Sequence, residues 1–457
     1  MREEQMMVSG LCWKAKRVMN KRDSNMKETR FIDTEIGKIP EDWEVVRLGD
    51  KFSFISNNTL SREFLCQEGN IKNIHYGDVL IKYGSTLDVS QSDIPAINAD
   101  LLPSYNPNNI AKDGDVIIAD TAEDETVCKV TELWNIGNKK VVSGLHTMWC
   151  RPKENNFAMK FLGYFMNSTL YHNQVLPLIQ GIKVASVSKN AIRDTWLCIP
   201  PIKEQHRIAP ALTSIDNLIS SLNKLIEKKK NIKQGAMQQL LTGKKRLKGF
   251  NEPWVEKKLG DMFDIKAGGD VVKLAFSPVK YGVYKYPIYS NSLDNYGLYG
   301  YTCIPRCPAN SITITGRGTL GHAEFRDCEY DAVIRILILT PKIEDIDCNC
   351  IASLINYQSP FVFESTGVPQ LTIPQVIESH IILPFSIIEQ RAIANLLSSM
   401  DKEISSLEVK ITKYERIKQG MMQQLLTGKI RLINALHHTK EYPILQTDNT
   451  YSFVAEP

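Results

Sequence analysis

Residues 204–247 and 389–432 of this chain are two copies of one segment. At a constant offset of 185, without a gap, 27 of the 44 aligned positions are identical. Lys233-Gln234-Gly235 recurs as Lys418-Gln419-Gly420, and the run Met-Gln-Gln-Leu-Leu-Thr-Gly-Lys at 237–244 recurs at 422–429. A second pair of anchors opens each half. Trp43, Leu48, Gly49, Asp50 and Phe52 match Trp254, Leu259, Gly260, Asp261 and Phe263 at an offset of 211. The offset falls from 211 to 185, so the second half is 26 residues shorter between its anchors. Internal repetition constrains a fold more than any single motif does. Here duplicated ends flank two middles of different length and sequence, the pattern of a common scaffold carrying two individual specificities.

Both copies of the repeated C-terminal segment carry a helical seam. In the second, Ile393, Leu397, Met400, Ile404, Leu407, Ile411, Tyr414, Met421 and Leu425 follow alternating steps of four and three, skipping only position 418. The first gives Ile208, Leu212, Ile215, Ile219, Leu222 and Ile226, then Lys229, Ala236 and Leu240. An apolar seam of period 3.5 held over about five heptads argues for coiled-coil packing. Two seams of equal length are most simply satisfied by each other. Ile215, Ile219, Leu222, Ile226, Met400, Ile404, Leu407 and Ile411 are the residues expected at that spacer and docking seam. Gly243 and Gly428 fall where a left-handed cap ends a helix. Pro210 argues that the first helix starts after it or bends there, because an interior proline costs about 3 kcal/mol.

The middles read as strand and turn. Residues 76–81 and 113–118 each pair a Gly-Asp turn with an apolar run. Residues 311–315 alternate with period two and lead into Gly316-Arg317-Gly318, a turn that can bring backbone close to a ligand. Residues 281–301 are dense in Tyr, Gly and Asn. Each half is therefore expected to be an α+β, β-rich domain followed by one long helix. The boundaries follow: residues 31–202, a first globular domain; 203–245, the first helix; 246–386, a second globular domain; 387–432, the second helix. Residues 1–30 and 433–457 have no counterpart in the repeat and are expected to be poorly ordered.

Composition excludes several classes. With 43% hydrophobic residues in 457, a core can be buried and wholesale disorder is ruled out. No apolar run approaches the ~20 residues of a membrane span. The first thirty residues lack the apolar run and cleavage site of a secretory signal. Ten irregularly spaced cysteines read as reduced thiols, and a cytoplasmic location is expected. The net charge of +4 is less bland than it looks. Residues 224–248 hold nine Lys or Arg and one acid, and residues 409–431 hold six and one. These two helix ends carry a surplus of 13 charges, against −9 for the remainder. Concentrated positive charge is the footprint of phosphate binding. A solvated helix face or an acidic protein partner would account for it equally well.

Catalytic tools are missing. No glycine-rich loop of the kind that holds a methyl-donor cofactor precedes a helix, and no Asn/Asp-Pro-Pro-aromatic tetrapeptide occurs; Asn106-Pro107-Asn108-Asn109 comes nearest. Gln238 stands where a phosphate-binding loop would need glycine before Gly243. Glu408-Val409-Lys410 has a nuclease-like spacing but lies in the coiled coil, where such pairs are routine. Cys303, Cys307, Cys348 and Cys350 are the best metal candidates, but they read better as unliganded thiols than as structural zinc. The chain is expected to read rather than cut.

At this point the phrases become recognisable. Residues 36–43, Ile-Gly-Lys-Ile-Pro-Glu-Asp-Trp, are followed by Leu48-Gly49-Asp50, and Glu204-Gln205 and Glu389-Gln390 each enter a long helix. The doubled Met-Gln-Gln-Leu-Leu-Thr-Gly-Lys and the stretch 365–371 with Ile382-Leu383-Pro384 complete the set. Over roughly residues 30–432 the chain resembles the specificity subunit of type I restriction–modification systems. The equivalent first loop, residues 180–186, departs from that pattern by lacking Pro-Gln-Leu.

The resemblance implies two target recognition domains, each reading one half of a split, asymmetric site in double-stranded DNA. It also implies two long antiparallel helices acting as a spacer; about 35 helical residues reach roughly 50 Å. The same helices would dock two adenine methyltransferase (modification) subunits, with motor-nuclease restriction subunits added. No cofactor is expected on this chain; S-adenosylmethionine, ATP and Mg would belong to the partners. Two other readings stay open: the recognition subunit of a restriction system outside type I, and a protein-binding scaffold on a coiled coil.

Base readout calls for Arg, Lys, Asn or Gln on loops, and phosphate positioning for Lys, Arg and hydroxyls. The candidates are Lys82, Tyr83, Ser85, Thr121, Lys183 and Ser186 in the first domain. In the second they are Ser290, Asn291, Arg317, Thr319 and Gln370. Arg317 is the sharpest, set between two glycines after a strand. Trp43 and Trp254 read as core anchors.

Overall fold

Val116–Ala119 and Ser311–Thr315 are buried at every residue. Each is the continuous apolar or hydroxyl-and-apolar run of a strand covered on both faces. In the computed structural model, which describes residues 29–97, 109–181, 184–361 and 369–433, each lies inside a sheet. The first sheet runs Phe52–Ile55, Thr147–Pro152, Val116–Ala119, Val130–Trp134, Thr86–Asp88. The other runs Phe263–Ala267, Ile336–Pro341, Ser311–Thr315, Ala323–Arg326. The four shared places are antiparallel in both, and Thr86–Asp88 adds a parallel strand to the first sheet only.

A second sheet repeats the lesson. Lys140–Ser143, Ile71–Ile74, Ala96–Ile97 and Leu65–Cys66 lie in the same order as Asp331–Ala332, Tyr286–Tyr289, Leu298–Thr302 and Phe276–Ser277. In each set the first pair is parallel and the others antiparallel. The two middles, unlike in length and sequence, are therefore built on one topology. The α+β expectation holds.

Contacts divide the chain into two compact units, one of residues 1–219 with 414–457 and one of residues 220–413. The division cuts both long helices, Ile202–Leu240 and Ile387–Leu425, each of 39 residues. Each unit thus gathers a globular body with adjoining stretches of both helices. Pro210 lies inside the first helix, so the expectation of a later start is corrected. Ile208, Ala209 and Leu212 beside it are almost fully buried. Burying one such side chain contributes about 1.5–3 kcal/mol, so this turn outweighs the proline penalty of about 3 kcal/mol. The Ser214 hydroxyl donates to the Pro210 carbonyl at 2.8 Å, occupying part of the local backbone.

Each unit is fastened within itself by equivalent bonds 185 residues apart, save that Asp42 of the first has Pro253 as its counterpart. In the first, Arg431 donates to both oxygens of Glu204 and to Asp42, and Lys418 pairs with Asp216 at 2.7 Å. In the second, Arg246 forms a fork with Glu389, and Lys233 pairs with Asp401. Arg431 lies 5.6 Å over the Trp43 ring and Arg246 5.9 Å over Trp254. Gln205 and Gln390 each bridge a backbone N–H, of Ala158 and Asp347, to a proline carbonyl. The Glu-Gln pair that opens each helix is a buried fastening, with all four side chains about 1% exposed.

Within the second unit, Leu222 and Ile226 cluster with Ile404, Leu407 and Ile411, and Lys229 and Lys233 pair with Glu403 and Asp401, numbers rising in one helix as they fall in the other. That is the expected antiparallel seam; Ile215, Ile219 and Met400 are half-buried. Both helices end as expected on left-handed glycines, Gly243 and Gly428, each with φ +68. Residues 76–81 correct another expectation. They form a helix, Tyr76–Ile81, because the His75 imidazole accepts the Gly77 N–H at 3.2 Å and caps the turn.

Candidate nucleic-acid interface

The shared topology places two loop clusters at the same corner of each sheet. Thr147 is registered on Ala119 as Ile336 is on Thr315. The preceding residues, His146 and Arg335, therefore occupy one structural position, and both are left-handed, with φ of 53 and 75. The residues after the central strand, Asp120-Thr121 and Gly316-Arg317, form the facing half of the corner. Each is closed by a later segment: the Val187 N–H donates to the Asp120 carbonyl at 3.0 Å, and the Leu371 N–H to the Gly316 carbonyl at 3.1 Å. A third segment, His75-Tyr76 in one unit and Ser290-Asn291 in the other, completes it.

The side chains at these equivalent places differ throughout. In the first unit the Thr121 hydroxyl donates to Asp120 at 2.8 Å and lies 3.4 Å from His146 Nδ1. Tyr76 packs edge-on to His146, and Ser186 is registered on Thr121. The adjoining His75 has its basicity lowered, first by burial and then by the Arg62 charge. In the second unit Asn291 Oδ1 accepts the N–H groups of Gly316 and Arg317 at 2.9 and 3.4 Å. Arg317 Nε is buried without a partner. A donor left unmade in this way is costly, and an incoming acceptor would satisfy it. Gly316 is needed where it stands, because a Cβ there would sit 2.2 Å from the Arg335 carbonyl.

The structure thus brings together Thr121 and Ser186 in one cluster, and Ser290, Asn291, Arg317 and, next to Leu371, Gln370 in the other. Thr319 is exposed in the same turn, its carbonyl accepting the Thr315 hydroxyl. Three candidates do not belong. Tyr83 is 4% exposed with its hydroxyl buried and unpartnered, and Ser85 is 9% exposed. Both sit in the core, so the expectation of a surface contact at Tyr83 and Ser85 is corrected. Lys82 is exposed, but its ammonium donates to the Asp93 carbonyl at 2.6 Å, past the far end of helix Tyr76–Ile81. Asn291 lies at the corner, but its amide holds the loop and is not free to read a base. Lys183 lies outside the described residues. Arg335 and His146 were missed, because no glycine stands at the left-handed position to mark either turn.

The basic helix ends are partly neutralised at home. Lys229 pairs with Glu403 at 2.8 Å and Lys230 with Glu408 at 2.9 Å, in addition to the Lys233, Lys418, Arg246 and Arg431 pairs. Six of the fifteen basic residues that suggested phosphate binding are paired in this way, four of them from one long helix to the other. Cys307, in one small core, lies apart from Cys348 and Cys350, buried in another. Among the described residues no three His, Cys, Asp or Glu side chains gather as a metal set. No described helix is long and apolar enough to cross a membrane.

Comparison with known proteins places this architecture. The model of the type I restriction modification DNA specificity domain matches residues 40–234 and 251–418, so the chain belongs to that family. A Methanocaldococcus jannaschii protein, the type I restriction enzyme MjaVIII specificity subunit, is 24% identical over 446 residues, covering 89% of this chain and 97% of its own. Among solved structures, the S subunit of a type I restriction–modification system from M. genitalium aligns with a TM-score of 0.58 at 15% identity. It covers 84% of this chain and 96% of that one. A chain from a study of complex assembly in the type I system aligns at 0.52, with 17% identity and coverage of 86% and 100%. The fold they share is the one described above, and the expected family is borne out.

Proposed function

We propose that the chain is the non-catalytic DNA-reading subunit of a type I restriction–modification complex. Each corner cluster reads one half of a bipartite site in double-stranded DNA. The observation that carries this reading is the contrast between two kinds of equivalent position. The fastening pairs Glu204–Arg431 and Asp216–Lys418 are repeated as Glu389–Arg246 and Asp401–Lys233, while the corner residues differ, His146, Thr121 and Tyr76 answering to Arg335, Arg317 and Asn291. A scaffold that keeps its joints and varies its corners presents two different surfaces to two different sequences.

The repeated helix surfaces suit two copies of one partner, the modification subunit, with restriction subunits joining that core. Methyl transfer and cleavage, with S-adenosylmethionine, ATP and Mg, belong to those partners. Arg317 is the residue to test. A guanidinium on a major-groove edge discriminates bases by about 1–3 kcal/mol, or roughly 5- to 150-fold in affinity. Arg317→Ala is expected to relax selection at the second half-site and leave the first unchanged, read by bandshift against half-site variants. Equal loss of affinity for every duplex would make Arg317 a phosphate contact and remove it from readout.

A further inference from the structure

Seven of the seventeen tyrosines fall between residues 281 and 301, in and beside the strands Tyr286–Tyr289 and Leu298–Thr302 of the second unit. Among the described residues, the corresponding strands of the first unit have Tyr76 and Tyr83 near them in sequence. In the second unit Tyr286, Tyr289, Tyr296 and Tyr301 line an open groove of about 590 Å³, together with the exposed lysines Lys280 and Lys285. We propose that this groove holds one unstacked nucleotide of the bound nucleic acid, its base against tyrosine and its phosphate on the lysines. The proposal deepens the DNA-reading function and rests on it.

Three observations carry it. The first is chemical. Aromatic faces accept any base by stacking, and lysine ammonium groups accept a phosphate as point charges. Asn295 and Glu329 also line the groove and offer hydrogen bonds to a base edge. The volume lies within the ~300–1,000 Å³ range of small-molecule sites.

The second observation is that the groove is held in shape. Asn295, Tyr296 and Gly297 are consecutive left-handed residues, with φ of 48, 56 and 80. Two of them are not glycine, and such strain persists only where surrounding bonds impose it. Those bonds are visible. The Gly297 carbonyl accepts the Ser290 N–H at 2.7 Å and its hydroxyl at 3.1 Å, and the Tyr296 carbonyl accepts Arg326 Nη2 at 3.0 Å. Arg326 is 6% exposed and lies 3.5 Å over the Tyr289 ring. A buried cation is thus used to fix a tyrosine and a strained turn. The result keeps Tyr296 64% exposed.

The third observation is position. Tyr289, which lines the groove, immediately precedes Ser290 and Asn291, so the strand that builds the groove leads into the corner where Arg317 Nε is buried without a partner. A nucleotide leaving a duplex read at that corner has an aromatic seat within reach, and loss of base stacking in the duplex is offset by stacking on protein.

The test uses the full chain and a fluorescein-labelled single-stranded oligothymidylate, read by anisotropy beside a labelled duplex. The unaltered chain is expected to bind the single strand with a salt-dependent affinity. Tyr286→Leu with Tyr296→Asn should weaken that binding about tenfold or more, Asn being chosen because it tolerates the left-handed backbone. Tyr286→Phe should retain it, and Lys280→Ala with Lys285→Ala should flatten the salt dependence. Unchanged single-strand affinity in the tyrosine variant, or duplex binding without any single-strand binding, overturns the groove assignment and leaves duplex reading intact. A chain that binds neither form overturns both.

Discussion

Removing the Arg431 side chain should destabilise the first unit far more than any exposed ion pair could. Its side chain is 8% exposed and that of Glu204 0%, and the two share hydrogen bonds of 2.8–3.1 Å. Asp42, at 53% exposed, adds a second, more solvated fork. Arg431→Ala would leave Glu204 buried, with only the Trp43 indole and the Leu432 N–H donating to it, each at 3.1 Å. Breaking a buried pair by removing one partner costs about 3–5 kcal/mol, because a charge is stranded; the Asp42 contact, being solvated, adds under about 1 kcal/mol. For a unit of this size that corresponds to a fall in Tm on the order of 10 °C. Differential scanning calorimetry of the full chain should show it in one of two transitions. Arg246→Ala should act on the other transition through Glu389. The double variant Arg431→Met with Glu204→Leu should recover much of the loss, since no charge is then stranded. A shift below about 2 °C for Arg431→Ala, or a double variant as unstable as the sum of its singles, would refute the reasoning.

Further expectations follow from single sites. Glu132 is buried and its carboxyl is pushed up to about 7 by that burial, against backbone N–H groups of Gly163 and Lys160 that favour the charged form. Between its ordinary value of 4.5 and about 7 the unfolded chain releases a proton that the folded chain keeps. Stability of the first unit should therefore fall as pH rises through that window, by on the order of 3 kcal/mol, and Glu132→Gln should remove the slope in urea midpoints. Gly428→Ala should cost more than Gly243→Ala in thermal unfolding, by about 1 kcal/mol or more. Both require φ +68, but a Cβ at 428 would lie 2.3 Å from Pro40, whereas at 243 it would lie 3.3 Å from Trp254. Lys233→Ala and Lys418→Ala should each cost under about 1 kcal/mol, and 1 M salt should reduce the difference, because their acidic partners are partly exposed.

The repeat, the helical seam and the capping glycines were legible because they are local or periodic, and periodicity survives without knowledge of the tertiary fold. Ser311–Thr315 and the turn before Val116 were legible for the same reason. What escaped depends on distant partners. Residues 76–81 look like a strand until His75 caps them. Asn291 looks like a base reader until its amide is found holding Gly316 and Arg317. Lys229, Lys230 and Lys233 look like a phosphate footprint until Glu403, Glu408 and Asp401 come alongside on the other helix. Arg335 and His146 stand at the heart of the corner clusters, yet only strand registers show that they are equivalent.

The first unit is assembled from residues 1–219 and 414–457, whereas the second is one unbroken stretch. On a ribosome adding about 5–20 residues per second, some 10–40 s separate the exit of residue 219 from that of residue 414. During that interval the first unit has made its sheets but lacks Leu425, Leu426 and Arg431, and Glu204 has no arginine to meet. The half of the chain that is synthesised first is therefore the half that is finished last. Completion of its fold reports that translation has reached the end of the second long helix, so a prematurely stopped chain carries an unfinished first unit whatever the state of its second.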